Sequence, residues 1–131
     1  MATHLTEHFT LEECTCNCGC GYCGYPAYVV VLAEKVRSVL ASAMHVHCVA
    51  RCIKRNTAAG GSPNSAHLRG EAMDFHAKLP PKECFDIILE AYRKGKLPEL
   101  GGVGLYDWGL HIDVVKAPDG HLRIWDYRKK K

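Results

Sequence analysis

The chain lacks any apolar run long enough to cross a bilayer. Its longest, residues 28–33, falls far short of the roughly 20 consecutive apolar residues a spanning helix needs. No basic segment leads into an apolar one in the opening "MATHLTEHFT". No signal peptide is therefore visible; the expectation is synthesis in the cytoplasm, with any export taking another route. No internal repeat is present, which argues against a solenoid. The glycine-rich "NTAAGGSPNS" (56–65) lacks the Lys-Ser or Lys-Thr ending of a P-loop, so phosphate binding of that kind is excluded. Neither charge sign dominates: 17 Lys and Arg face 14 Asp and Glu, for a net +3. The closing "RKKK" reads as a solvated terminus; the alternative is attraction to an anionic polymer, nucleic acid or cell wall.

What is there fits one ordinary domain. At 131 residues, 47% hydrophobic and 24% charged, the chain can bury a core without a metal or disulfide, and disorder is excluded. One domain over 1–131 is expected, with a cysteine-rich arm over 1–25 and a core over 26–131. A monomer is expected. Five of the eight cysteines crowd into "CTCNCGCGYC" (Cys14, Cys16, Cys18, Cys20, Cys23). The stretch "CGYCG" looks like half a zinc knuckle, but no second Cys-x-x-Cys pair exists. Cys48 or Cys52 could complete a site if folding brings them near. Structural metal, disulfides and free thiols all stay open. A nucleic-acid-binding zinc module is one further reading of the cluster, although nucleic acid is not the expected partner.

Periodicity predicts an α+β domain with a small antiparallel sheet packed on helices. "TLEE" (10–13) matches a capping box. Val29, Leu32, Ala33, Val36 and Leu40 mark one face of a helix over 26–43. "HVHCVAR" and "EAMDFHA" read as strands, and 56–65 as a loop. A second helix starts near Pro81, with Phe85, Ile88, Leu89 and Tyr92 as its stripe and Gly95 past its end. "GVGLY", "LHIDVV" and "HLRIW" read as strands, the last two joined as a hairpin by "APDG" (117–120).

The chemistry concentrates in "SAHLRGEAMD" (65–74) and "GLHIDV" (109–114). His67 ends a loop, Gly70 lets the chain turn back, and Asp74 sits in a strand two residues beyond the small Ala72. An aspartate facing an apolar interior needs a positive partner, a metal ion or an arginine. His111 and Asp113 share a strand face. If the two strands pair, His67, Asp74 and His111 make a three-ligand set. That number suits catalytic zinc, which keeps one position for water. Ser65 and Asp113 would stand behind the ligands, Asp113 orienting an imidazole. Chance would produce Ser-x-His-x-x-Gly-x-Ala-x-Asp in a chain of this length roughly once in 10⁴. His45 and His47 read as solvent-facing, and His76 as a packed or partner-bonded histidine. Trp108 and Trp125 read as groove walls or core, and "GGSPN" (60–64) as the rim of a cleft.

These stretches, with "HFTLEECTCNCGC", "RCIKRNTAAGGSPNSAHLRGEAMDF" and "GGVGLYDWGLHIDV", resemble the D-Ala-D-Ala metallopeptidase family. It belongs to a zinc group that also holds lysostaphin-type enzymes and hedgehog domains. The resemblance implies that fold and one catalytic zinc held by His67, Asp74 and His111. It makes Arg51 the arginine that binds substrate and the developing oxyanion. It also implies peptidoglycan peptides as substrate, in a bacterial wall-trimming carboxypeptidase or a phage lysin that reaches the wall through a pore. A zinc-bearing binding domain without turnover, as in hedgehog domains, is the alternative. Many relatives carry a general base two or three residues before the last ligand. Here those positions are Gly109 and Trp108, which leaves Asp107 as the nearest carboxylate. The usual Ser-Gly-Tyr before the arginine is replaced by Cys48, Val49 and Ala50.

Overall fold

A computed structural model of the chain describes residues 3–129, so Lys130 and Lys131 of the basic end lie outside the described residues. The order is α1 (Leu11–Cys14), α2 (Ala27–Leu40), β1 (Met44–Cys48), α3 (Ile53–Ala58), a 3₁₀ turn (Ala66–Arg69), β2 (Ala72–Ala77), α4 (Pro81–Arg93), β3 (Gly102–Leu105), β4 (Leu110–Asp113) and β5 (Arg123–Asp126). The strands form one sheet in the order β1-β2-β4-β3-β5. The helices α2 and α4 pack together and against it. No described helix is long and apolar enough to cross a membrane.

Strand pleating sorts the side chains. Met73 and Phe75 of β2, Val103 and Leu105 of β3, and Leu110 and Ile112 of β4 are fully buried. They meet Val29, Leu32, Ala33 and Val36 of α2 and Phe85 and Ile88 of α4 in one core. Alternate strand residues therefore face away from the helices, and that second face carries the polar groups discussed below. The helices begin and end on local signals. Thr10 and Glu13 form the expected capping box on α1. Pro81 occupies the first turn of α4, and Gly95 follows its end at φ +77°. At the end of α2, Ala41 adopts the left-handed conformation (φ 50°) and donates to Arg37 and Ser38 carbonyls, a place where glycine is the usual solution.

The cysteine-rich arm is irregular but anchored. Phe9, Cys14 and Cys16 are buried, and Tyr25 N–H donates to the Arg69 carbonyl at 2.9 Å. Two expectations need correcting. The stretch read as a loop over 56–65 begins with the end of α3, whose first turn Cys52 caps by accepting from Arg55 N–H. The expected hairpin between the last two strands does not form: β5 runs parallel to β3, making the sheet mixed. The cause is an ion pair. Arg123 reaches back to the Asp113 carboxylate and to the Val115 carbonyl, and Arg123 N–H donates to the Gly101 carbonyl at 3.1 Å. Those bonds carry β5 across to the far side of β3.

Candidate metal centre

Register builds the site. Asp74 lies opposite His111, His111 opposite Gly104, and Gly104 opposite Trp125, one row across four strands. The next row on that face reads Ala72, Asp113, Gly102, Arg123. The glycines are spatial requirements. A Cβ on Gly104 would collide with the Trp125 indole, and one on Gly102 with the Arg123 guanidinium and the Asp113 carboxylate. His67 arrives from the 3₁₀ turn. Ser65 caps that turn by accepting from His67 N–H at 3.2 Å, and Gly70, at φ +75°, ends it. A side chain at Gly70 would strike the arm's Cys23 carbonyl.

The three predicted ligands come together. His67 Nε2 lies 3.1 Å and His111 Nδ1 3.0 Å from the same Asp74 oxygen, Oδ1. All donors lie within 4.8 Å of one another. Each imidazole is held from behind. His67 Nδ1 donates to the Val49 carbonyl at 2.7 Å, a much closer partner than the Cys48 sulfur at 3.8 Å. His111 Nε2 donates to Asp113 Oδ2 at 2.8 Å. A proton on each outer nitrogen turns the inner lone pair toward Asp74. Two lone pairs and a carboxylate oxygen cannot share that space unless protons or a cation lie between them. The donor set, two neutral imidazoles and one carboxylate, is a fit for zinc.

Electrostatics without an ion follow the same logic. Burial pushes the His67 imidazole down, but its bonds to Asp74 and Cys48 overrule this and raise it to about 10. His111 is also raised, its burial outweighed by Asp113 and Asp74. Burial works against the Asp74 carboxylate, yet His111 and His67 hold it well below the usual range. Asp113 is lowered too, its burial outweighed first by His111 and then by Arg123. Protons thus occupy the space that a divalent ion would take.

Arg51 stands beside this centre, its Nη2 3.6 Å from Asp74 Oδ2. The spacing of the sequence did not flag the residue that aims it. Asn56, almost fully buried, accepts from Arg51 Nη1 at 3.3 Å and donates to the Ser62 carbonyl at 2.9 Å. The only cue was the glycine at 61, where a Cβ would overlap the Asn56 amide. Arg123 was missed as well, although paired glycines inside a strand mark a close approach by another group. A cavity of about 620 Å³ opens over the triad, walled by Arg51, Tyr106, Trp108, Trp125 and Tyr127. Tyr106 stacks on Trp108 at 4.9 Å and accepts from Trp125 Nε1 at 2.9 Å. Both tryptophans therefore belong to the groove.

Asp107 does not join the others. It is exposed, accepts from Lys129 N–H at 3.1 Å, and lines a separate depression with His76 and Gly109. The turn geometry explains this: Gly109 bonds back to Tyr106 through both its N–H and its carbonyl, which directs 107 outward. His47 instead borders a small pocket shared with Asp74, Arg51 and Trp108. Its Nε2 lies 2.6 Å from His76 Nδ1, and its ring meets Trp108 edge-on at 5.5 Å.

Two imidazoles and a carboxylate, brought together by two strands and a 3₁₀ turn on a sheet with helices behind it, define a metallopeptidase-type centre. The sequence model of peptidase M15 matches residues 7–113, and the chain belongs to that family, the D-Ala-D-Ala metallopeptidases. Peptidases of this family depend on zinc and act on peptides. No curated protein and no solved structure matches the chain.

Proposed function

We propose that the chain is a zinc peptidase that hydrolyses peptide bonds in the stem peptides or crosslinks of bacterial cell-wall peptidoglycan. It would be made in the cytoplasm and act at the wall, in the manner of a phage lysin. The observation that carries the reading is the convergence of His67 Nε2, Asp74 Oδ1 and His111 Nδ1, each imidazole oriented by a partner on its outer nitrogen. Those three groups hold the metal. Zinc bound there supplies Lewis acidity toward a carbonyl and lowers the pKa of water.

The chain's own residues do the rest. Arg51, steadied by Asn56, binds the oxyanion or a substrate carboxylate. Trp108 and Trp125 flank the groove and hold the peptide against it. His47 stands in for the general base that many relatives carry shortly before the last ligand. Its imidazole reaches the pocket beside Asp74. Burial and the neighbouring His76 and His45 lower its affinity for a proton, so it is neutral and able to accept one near neutral pH. Incubating the purified protein with peptidoglycan fragments, with and without a chelator, tests the proposal. Chelator-sensitive release of new amine termini is expected. Intact fragments at full zinc occupancy would sink it.

Two other readings rest on specific observations. Arginines 51, 69 and 123 line the cavity and favour an anionic C-terminal end, as a D-Ala-D-Ala carboxypeptidase would require; the size of the released fragment decides this. The outward placement of Asp107 favours a zinc-bearing binding domain, and the same incubation would then yield binding without cleavage.

A further inference from the structure

A second cluster of donors lies in the arm, away from the triad. The sulfurs of Cys16, Cys18, Cys20 and Cys52 all lie within 4.8 Å of one another. Cys16 to Cys18 is 3.5 Å, Cys16 to Cys52 3.8 Å and Cys18 to Cys52 3.7 Å. A tetrahedral ion with zinc–sulfur bonds of about 2.3 Å sets its sulfurs roughly 3.8 Å apart. A disulfide draws two of them to about 2.05 Å and leaves the others out. Here all eight cysteines are unbridged, and the four sulfurs share one centre.

The backbone is shaped for this. Gly19 and Gly21 alternate with Cys18 and Cys20 and take φ of +86° and +85°. A Cβ on either would meet nothing within 4 Å. The glycines therefore serve the backbone conformation and not the packing. Cys16 N–H donates to the Tyr22 carbonyl at 2.7 Å and closes the loop. Cys52 N–H points at Cys16 Sγ and Arg55 N–H at Cys52 Sγ, each at 3.4 Å. Such N–H donors offset the negative charge that a ligating sulfur carries. Cys14 is buried in the core and Cys23 bonds to its neighbour's carbonyl, so the other two thiols of the arm have other places.

We propose that Cys16, Cys18, Cys20 and Cys52 form a closed four-thiolate site for zinc that fastens the arm to the segment carrying Arg51. Four sulfur ligands leave no position for water, which makes the site structural. Its effect reaches the groove through the backbone. Ala50 N–H already bonds to the Cys14 carbonyl at 3.1 Å and Arg51 N–H to the His67 carbonyl at 2.8 Å; the ion adds the next residue, Cys52. The inference rests on the arm alone and does not need the peptidase reading.

The test is zinc content of the full chain purified under reducing conditions. Two zinc per chain are expected in the wild type. One should be lost in Cys18→Ser/Cys20→Ser, a double change at two exposed residues that leaves the core untouched. Cobalt-loaded His67→Ala should show sulfur-to-cobalt charge-transfer absorption, and the cysteine variant should not. Titrating the wild type with a mercurial that attacks thiolates should release one equivalent of zinc to a chromophoric chelator, a measurement that needs no variant. A double variant that still holds two zinc per chain, or a mercurial titration that releases none, overturns the proposal, as do thiols isolated as disulfide pairs. A wild type that holds only one zinc, kept in His67→Ala, and a cysteine variant that holds none would support the thiolate site while sinking the peptidase centre.

Discussion

The two donor clusters sit on opposite kinds of backbone. Asp74 and His111 project from paired strands, where pleat and register bring them face to face. Cys16, Cys18 and Cys20 project from a loop shaped by positive-φ glycines, and their fourth partner arrives from residue 52. The sheet cluster would keep its outline without an ion, because Val49, Asp113 and Arg123 hold it from behind. The loop cluster has few such supports: Cys18 and Cys20 are exposed. A preformed donor set pays little entropy on binding metal, whereas a loop must be ordered by it. A centre built for chemistry belongs on the rigid element, and a clasp can afford the loop.

The strongest way to break this contrast is to remove a sheet ligand. His111→Ala should abolish zinc at the triad and lower peptidase activity by about 10³-fold or more, the several kcal/mol that Lewis-acid assistance supplies. The fold should survive, since the core face of β4 is untouched. Circular dichroism alongside metal analysis checks both. Arg51→Ala should cost about 10²-fold in kcat/KM at unchanged zinc content, the loss typical of one oxyanion donor. Arg51→Lys should recover part of it, since a lysine keeps the charge but not the fork that bonds both Asn56 and substrate. A matching loss in His47→Ala, with none in Asp107→Asn, would assign the proton to the imidazole.

These contrasts also explain what could be read in advance. Strand period and the Ser-x-His-x-x-Gly-x-Ala-x-Asp pattern placed His67, Asp74 and His111 near one another, because in a sheet alternation determines the face. The α2 stripe and the limits of α4 were readable for the same reason. The parallel placement of β5 was not. It depends on Arg123 finding Asp113, ten positions earlier in the chain, and no local period encodes that. Asp107 was placed by its sequence distance to His111, which says nothing about direction inside a turn; it faces outward and accepts from Lys129 N–H. Asn56 was hidden because its task, holding Arg51, arises only once α3 packs beneath the loop. The thiol cluster was visible as composition, but its grouping required Cys52 to fold back on the arm.

Support from behind can be weakened more gently. Asp113→Asn removes the acceptor for His111 Nε2–H and the partner of Arg123. Zinc affinity at the triad should fall about 10- to 100-fold, in line with changes to groups that orient metal ligands. A competition titration with a chelator of known affinity measures it. Because Asp113 is buried, thermal denaturation must accompany the titration to separate affinity from stability.

Acidity separates the empty from the filled sheet cluster. His67 is raised from its ordinary 6.5 to about 10 in the metal-free chain, so its contribution to stability is complete below pH 6.5 and lost as pH rises toward 10. Asp74 is depressed from 3.8, so its contribution is present above that value and lost as pH falls further. The metal-free melting temperature should therefore be highest between about pH 4 and 6.5 and decline on the alkaline side. Zinc requires unprotonated imidazoles, so the stabilisation it adds should grow as pH rises through neutrality. In Cys18→Ser/Cys20→Ser, which keeps only the triad's zinc, melting curves with and without chelator across pH 5 to 9 should diverge upward. Parallel curves would mean that the triad is not where zinc binds.

The smallest effect comes from a thiol outside both clusters. Cys84 is fully buried in α4, its sulfur 3.7 Å from the Leu79 carbonyl, and belongs to neither donor group. Cys84→Ala removes one packed atom, and the void it leaves should cost about 1 kcal/mol. Denaturant unfolding should register that shift while zinc content and activity stay at wild-type values. The same chemical change at Cys16, equally buried but inside the thiol cluster, should instead release a metal ion. If the two variants behave alike, burial explains the arm's cysteines and the contrast between a rigid centre and a clasped loop collapses.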